Sequence, residues 1–164
     1  MKFEKLVWLG LTLVALSASA QIIIDPDWKE TEAPPPPSFN KDKLIPIEMP
    51  RYVSLRFGVD PATFAITPEG IVRYVVVAVS ATGSTNAMYE GIRCATGEVK
   101  TYARYMSNGQ WSSVQDPQWQ GLNDNLPSRH AMALARQGVC VGRSAAANSV
   151  AEIVEGLKHP KWEP

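Results

Sequence analysis

Apolar and polar positions divide this 164-residue chain into four stretches, each with its own rhythm. The first is an uncharged apolar run, Leu6 to Leu16, preceded by Lys2 and Lys5 and followed by Ala18-Ser19-Ala20. A cationic start, a short hydrophobic run and small residues make a cleavable export signal, too short for a stable membrane span. It covers 1–20, with cleavage expected after Ala20. The second stretch, 21–50, has no period: Pro26, Pro34 to Pro37, Pro46 and Pro50 are mixed with Asp, Glu and Lys. Successive prolines favour an extended polyproline II rod, so this stretch reads as a disordered leader. Ile22 to Ile24 and Trp28 are its apolar exceptions. Trp28, between Asp27 and Lys29, is where such a leader would dock on a partner.

The third stretch alternates with period two and predicts strands. Tyr52 to Phe57 reads as extended, Gly58 to Pro61 as a turn, Thr63 to Thr67 as a short strand and Thr67-Pro68-Glu69-Gly70 as a turn. Ile71 to Ser80 is the strongest strand. Ile71, Arg73, Val75, Val77 and Val79 take one side and Val72, Tyr74, Val76 and Ala78 the other. Both sides are mostly apolar, which predicts a central strand covered on both faces. Asn86 to Ala95 sets Met88, Ile92 and Cys94 against Tyr89 and Arg93. Glu98 to Met106 sets Val99, Thr101, Ala103 and Tyr105 against Glu98, Lys100, Tyr102 and Arg104. Asn108-Gly109 predicts a type I′ hairpin turn that returns Gln110 to Val114. Short turns between successive strands make an antiparallel meander.

The last stretch turns helical. A helix fits 128–137, with Ala131, Leu134 and Ala135 as its apolar stripe and Gly138 as its C′ residue. A second begins at Ser149-Val150-Ala151-Glu152, a capping box, and Val150, Ile153, Val154 and Leu157 form its buried stripe. The expected class is α+β over 51–160, a single domain. It would be an antiparallel β-meander of about five strands with two C-terminal helices packed on one face.

Charge and cysteine content narrow the picture. Lys+Arg and Asp+Glu both number 16, for a formal net charge of +0. No basic excess exists to neutralise a run of phosphates, which argues against nucleic acid. No later stretch reaches bilayer length, so no span is expected in the mature chain. Cys94 and Cys140 are the two cysteines, without a CxxC or a nearby His. After export such a pair reads as a disulfide. Chain-entropy arithmetic gives it roughly 4 kcal/mol, a large share of the roughly 5–15 kcal/mol expected of a small domain.

Gly70-Ile71-Val72-Arg73-Tyr74, Tyr89-Glu90-Gly91-Ile92-Arg93-Cys94 and Lys100-Thr101-Tyr102-Ala103 resemble the cryptic neisserial protein-like family. Trp111-Ser112, Trp119, His130-Ala131 and Cys140 are similar to further landmarks of it, over roughly Ile47 to Leu157. The resemblance implies an exported protein of a Gram-negative bacterium with paired cysteines. It brings no catalytic residue or cofactor with it.

Candidate chemistry is sparse. His130 and His159 are the only histidines, with no i, i+4 pair for zinc, so no metal or cofactor is expected. His159 suits a helix C-terminus. His130 can serve as a general base with Asp124 or a Glu across the fold, or simply hydrogen-bond at the loop–helix junction. Asp124 with Glu90 or Glu98 could form a carboxylate pair for sugar hydrolysis, although no spacing calls for it. Arg73 and Arg93, on one face, would hold a carboxylate or phosphate; alternatively they pair across strands with Glu90 or Glu98. Arg73, in so apolar a strand, must find a partner or water. Trp111 and Trp119 would make either an aromatic contact surface or lids on the core, and Trp162 lies in the tail.

The residues put forward for binding are therefore Arg73, Arg93, His130, Trp111 and Trp119, with no catalytic assignment. The expected function is a periplasmic binding or interaction module of the cell envelope. Its partner would be an envelope protein or cell-wall component, met through the sheet's exposed face or the leader. The competing expectation is a small envelope hydrolase using His130 with an acidic partner; a structural accessory subunit is a third. A hydrolase requires a concave pocket joining His130 to a carboxylate, whereas a binding module requires an exposed apolar or Arg-rich patch.

Overall fold

Ten strands and two helices organise residues 26–160, the part of the chain that the computed structural model describes. The export segment, Ile22 to Ile24 and Trp162 lie outside the described residues. The strands are β1 (Ile45–Ile47), β2 (Arg56–Val59), β3 (Ala65–Ile66), β4 (Ile71–Val79), β5 (Thr85–Arg93), β6 (Glu98–Tyr105), β7 (Trp111–Ser113), β8 (Gln120–Gly121), β9 (Cys140–Val141) and β10 (Ser144–Ala145). The helices are α1 (His130–Leu134) and α2 (Val150–Lys158). One antiparallel sheet runs β1-β2-β4-β5-β6-β7, with β3 beside the start of β4 and β8 beside the start of β6. Strands β9 and β10 form a small separate pair. The architecture is α+β, with the two helices following the meander. The strands beyond the five expected are two- and three-residue pieces, beside the meander or in the separate β9–β10 pair.

Strand β4 is buried on both sides, because valine alternates with valine. Its Val72, Tyr74, Val76 and Ala78 face α1 and α2, whose Ala131, Leu134, Ile153 and Leu157 complete the larger core. Helix α2 forms as its stripe predicts, and Ser149 Oγ accepts from the Glu152 amide. Helix α1 is shorter than expected. After Leu134 the chain widens into a π turn over Ala135–Val139, which Gly138 ends at φ 152°. That conformation belongs to glycine and turns the chain into Cys140. The Cys94–Cys140 disulfide, with Cα atoms 5.7 Å apart, then staples this exit to the end of β5.

Three local expectations change. Gly58 lies inside β2 rather than in a turn, and its missing Cβ makes room for Leu44, whose Cβ would stand 2.9 Å from one placed there. The Asn108-Gly109 hairpin forms, but only Gly109 has positive φ, so it is not type I′. Gly109 N donates to Met106 O at 3.0 Å, as in a type I turn followed by a bulge. In β6 the pairing steps from Glu90↔Thr101 to Tyr89↔Ala103, leaving Tyr102 as an extra residue. This bulge reverses the alternation, so Ala103 turns to the same side as Tyr102 and away from the helices.

The largest correction concerns the leader. From Trp28 onward it is a strap laid over the sheet's second face. Trp28 and Glu30 point in while Asp27, Lys29 and Thr31 are exposed, and Ala33, Phe39 and Leu44 pack on Val75, Val77 and Tyr89. The sheet's second face is thus closed by the segment expected to be free, because polyproline geometry suits lying along a surface as well as standing off it.

Candidate functional site

Glu90 is a deeply buried carboxylate, at 2 % exposure. It lies mid-strand on β5, facing α1, where an unpaired charge would be very costly. Three donors answer it. His130 Nε2 donates to Oε2 at 2.8 Å, Tyr74 Oη to the same oxygen at 3.1 Å, and Thr101 Oγ1 to Oε1 at 3.1 Å. Burial is the largest single influence and pushes the pKa up. The attraction of a protonated His130 and the donated hydrogen bonds outweigh it, holding Glu90 below the ordinary carboxylate range. Tyr74 moves the other way: burial and the neighbouring Glu90 charge raise its pKa well above normal.

This charge state determines the tautomer of His130. An ionised carboxylate only accepts, so Nε2 must carry a hydrogen. In the neutral ring Nδ1 is then an acceptor, and Ser128 Oγ lies in hydrogen-bond contact with it. Phe57 stacks on the imidazole with centroids 5.0 Å apart and planes 10° from parallel, which restrains the ring. The loop before α1 thus places a hydroxyl, an imidazole and a carboxylate in one hydrogen-bonded line.

The line borders an open cleft of about 460 Å³ between that loop and the outer parts of β5 and β6. Leu55, Met88, Leu126 and Met106 give it an apolar floor and rim, with Met106 48 % exposed. Asn86, Arg104 and Gln120 bring polar groups. Arg104 touches Met88 Sδ at 3.3 Å and makes no ion pair among the described residues. A second hollow of about 460 Å³, on the outer side of α1 near Glu48, Arg129 and Arg136, has no buried acid or imidazole on its wall.

The other sequence-selected residues gather under the strap instead. Arg73 and Arg93 do share a face. Arg73 Nη2 donates to Thr31 O at 2.6 Å and lies 3.7 Å from Glu30 and 3.8 Å from Glu69, while its buried Nε has no partner. Arg93 lies over Trp28, 3.6 Å from the ring centroid. Trp111 packs edge-on against Phe39, and Trp119 stands 6.3 Å from Trp28 and donates to Glu30 at 3.1 Å. Glu30 also accepts from Lys100 and from Tyr102, each at 2.7 Å. Burial pushes its pKa up, but these donors outweigh that and lower it. Tyr102 reaches Glu30 by passing over Gly91, where a Cβ would come within 2.8 Å of the phenol oxygen. Asp124 does not meet His130; it caps its own loop by accepting from Gly121 N. Among the described residues no cluster suits a metal, and no helix is long and apolar enough to cross a membrane.

A family model, the CNP1-like family, matches residues 24–158, nearly everything the structure describes. The chain belongs to the CNP1-like family. The match begins at the strap rather than at β1, so CNP1-like sequence extends over the covering segment as well as the sheet. No curated protein and no solved structure matches the chain. Sequence reasoning singled out His130 but passed over Ser128, Glu90 and Glu30 as specific partners. The usable signals were the Ser-x-His spacing and the Trp-x-Glu alternation in 28–30.

Proposed function

We propose that this protein is an exported binding module of the bacterial cell envelope, resident in the periplasm once the export segment is removed after Ala20. Its partner is an envelope protein or cell-wall component. The cleft beside His130 is its binding seat, where recognition does not require turnover. The observation that carries this reading is the combination of an open apolar hollow with Arg104, which makes no ion pair among the described residues, at its side. Methionines suit such a seat because the thioether adapts to a partner's shape. The strap face supports the same conclusion by exclusion: Arg93, Arg73 and Trp119 are occupied by Trp28, Thr31 and Glu30, and Trp111 packs on Phe39.

Site-specific photocrosslinking in the native envelope tests it. A photoreactive side chain at Met106 should give discrete adducts that Arg104→Glu suppresses at least 10-fold. The same group at Tyr52, exposed and outside the cleft, should give none of them. Equal labelling from both positions would refute the cleft as the seat. Recovery of a cytoplasmic protein with Met1 intact would refute the address.

A further inference from the structure

The polar wall of the cleft contains more than recognition needs. Binding an apolar or anionic partner calls for Met88, Met106 and Arg104. It does not call for a buried carboxylate that fixes an imidazole with its free nitrogen on a hydroxyl. We infer that Ser128 is an acyl-accepting nucleophile, activated by His130 and Glu90, and that the cleft takes carboxylic esters with an apolar acyl group. This goes beyond recognition but rests on the same cleft being the ligand seat.

Each member has the connection its role demands. Ser128 is half-buried and lines the cleft, so its oxygen can meet a bound carbonyl carbon. His130 Nδ1 is the acceptor of the Ser128 proton, and Nε2 is tied to Glu90 at 2.8 Å. Glu90 stays ionised, because Tyr74 and Thr101 also donate to it, and it stabilises the imidazolium that forms. Conventional triads place the serine on Nε2 and the acid on Nδ1. Both ring nitrogens have the same acid–base capacity, so the exchanged arrangement works if geometry allows it. Here the two-residue spacing brings Ser128 to Nδ1, while the strand brings Glu90 to Nε2.

The steps balance. Ser128 Oγ bonds to the ester carbonyl carbon as its proton passes to His130 Nδ1, and negative charge collects on the carbonyl oxygen. The side-chain amides of Asn86 and Gln120, which make no hydrogen bond among the described residues, and the Arg104 guanidinium are the N–H donors lining the cleft. The carbon–oxygen bond to the leaving alcohol then breaks, and that oxygen takes the proton from Nδ1. A water attacks the acyl-serine and gives its proton to Nδ1. Ser128 leaves with that proton, and the products are one carboxylic acid and one alcohol. Leu55, Met88 and Leu126 supply the apolar contacts for the acyl chain.

An alkyl fluorophosphonate reports on the first step alone: the serine oxygen bonds to phosphorus, fluoride leaves, and the serine proton goes to His130. The disulfide-bonded protein should gain one adduct by intact mass, mapped by peptide sequencing to Ser128. Ser128→Ala should gain none. His130→Gln should react roughly 100-fold more slowly, with thermal unfolding showing that both variants are folded. An adduct on another residue, or none on the wild-type protein, overturns the inference without recourse to any variant. If Met106 crosslinks a partner but Ser128 stays unlabelled, the nucleophile falls and the binding seat stands. If neither reacts, both fall.

Discussion

The two faces of the sheet solve the same electrostatic problem with different partners. Under the helices, Glu90 is answered by Tyr74, Thr101 and the His130 imidazole. Under the strap, Glu30 is answered by Tyr102, Trp119 and Lys100, with Arg73 close by. The lysine and arginine side chains only donate, so the Glu30 network acts as a fastener. The neutral imidazole pairs a donor nitrogen with an acceptor nitrogen, and the acceptor faces a hydroxyl beside open space. A buried carboxylate by itself indicates nothing about activity. What separates a rivet from a reactive centre is whether its partner can change protonation and whether a ligand can reach it.

Removing each acid in turn breaks that comparison. Glu90→Ala should have the largest effect, about 3–5 kcal/mol, because it leaves a buried imidazole, a buried phenol and a half-buried hydroxyl without their acceptor. Urea denaturation of the disulfide-bonded protein measures it. Glu30→Ala should cost about 2 kcal/mol, since its carboxylate is partly exposed and its cations can rehydrate. Both carboxylates have lowered folded pKa values. Their stabilisation is therefore complete at neutral pH and down to the ordinary value of about 4.3. It is lost as pH falls further, through the folded values. The gap between wild type and Glu30→Ala should accordingly narrow between neutral pH and pH values below that range. Arg93→Ala should be smallest, about 0.5–1 kcal/mol, because it removes chiefly the cation–π contact with Trp28. A loss well above that would mean Arg93 anchors the strap in its own right.

The helix face was largely legible in the residues. Val150, Ile153, Val154 and Leu157 announce α2, Ser149 announces its start, and Ile71–Val79 announces a strand covered twice. The cover of the second face was not legible, because the strap has no period of its own. Its order comes from partners about forty to seventy residues away, and local pattern cannot name them: Lys100 and Tyr102 for Glu30, and Arg73 for Thr31. Arg73 showed that something had to arrive, without showing what. At the candidate site, His130 and its need for an acid could be read. Which acid could not, since Glu90 rather than Asp124 faces it only through the β4–β5–β6 register. The bulge at Tyr102 likewise depends on pairing and leaves no mark in the alternation.

Backbone amide hydrogen exchange on the wild-type protein and Glu30→Ala tests the division between fastening face and reactive face most directly. Thr31 and Asn40, whose amides donate to Glu69 and Asp60, should be protected in the wild type. In Glu30→Ala, protection should drop at Thr31 while the amides of α1 and β5 keep theirs. Wild-type exchange across 28–40 at the rate of an unstructured chain would contradict the account, and the second face of the sheet would again be open.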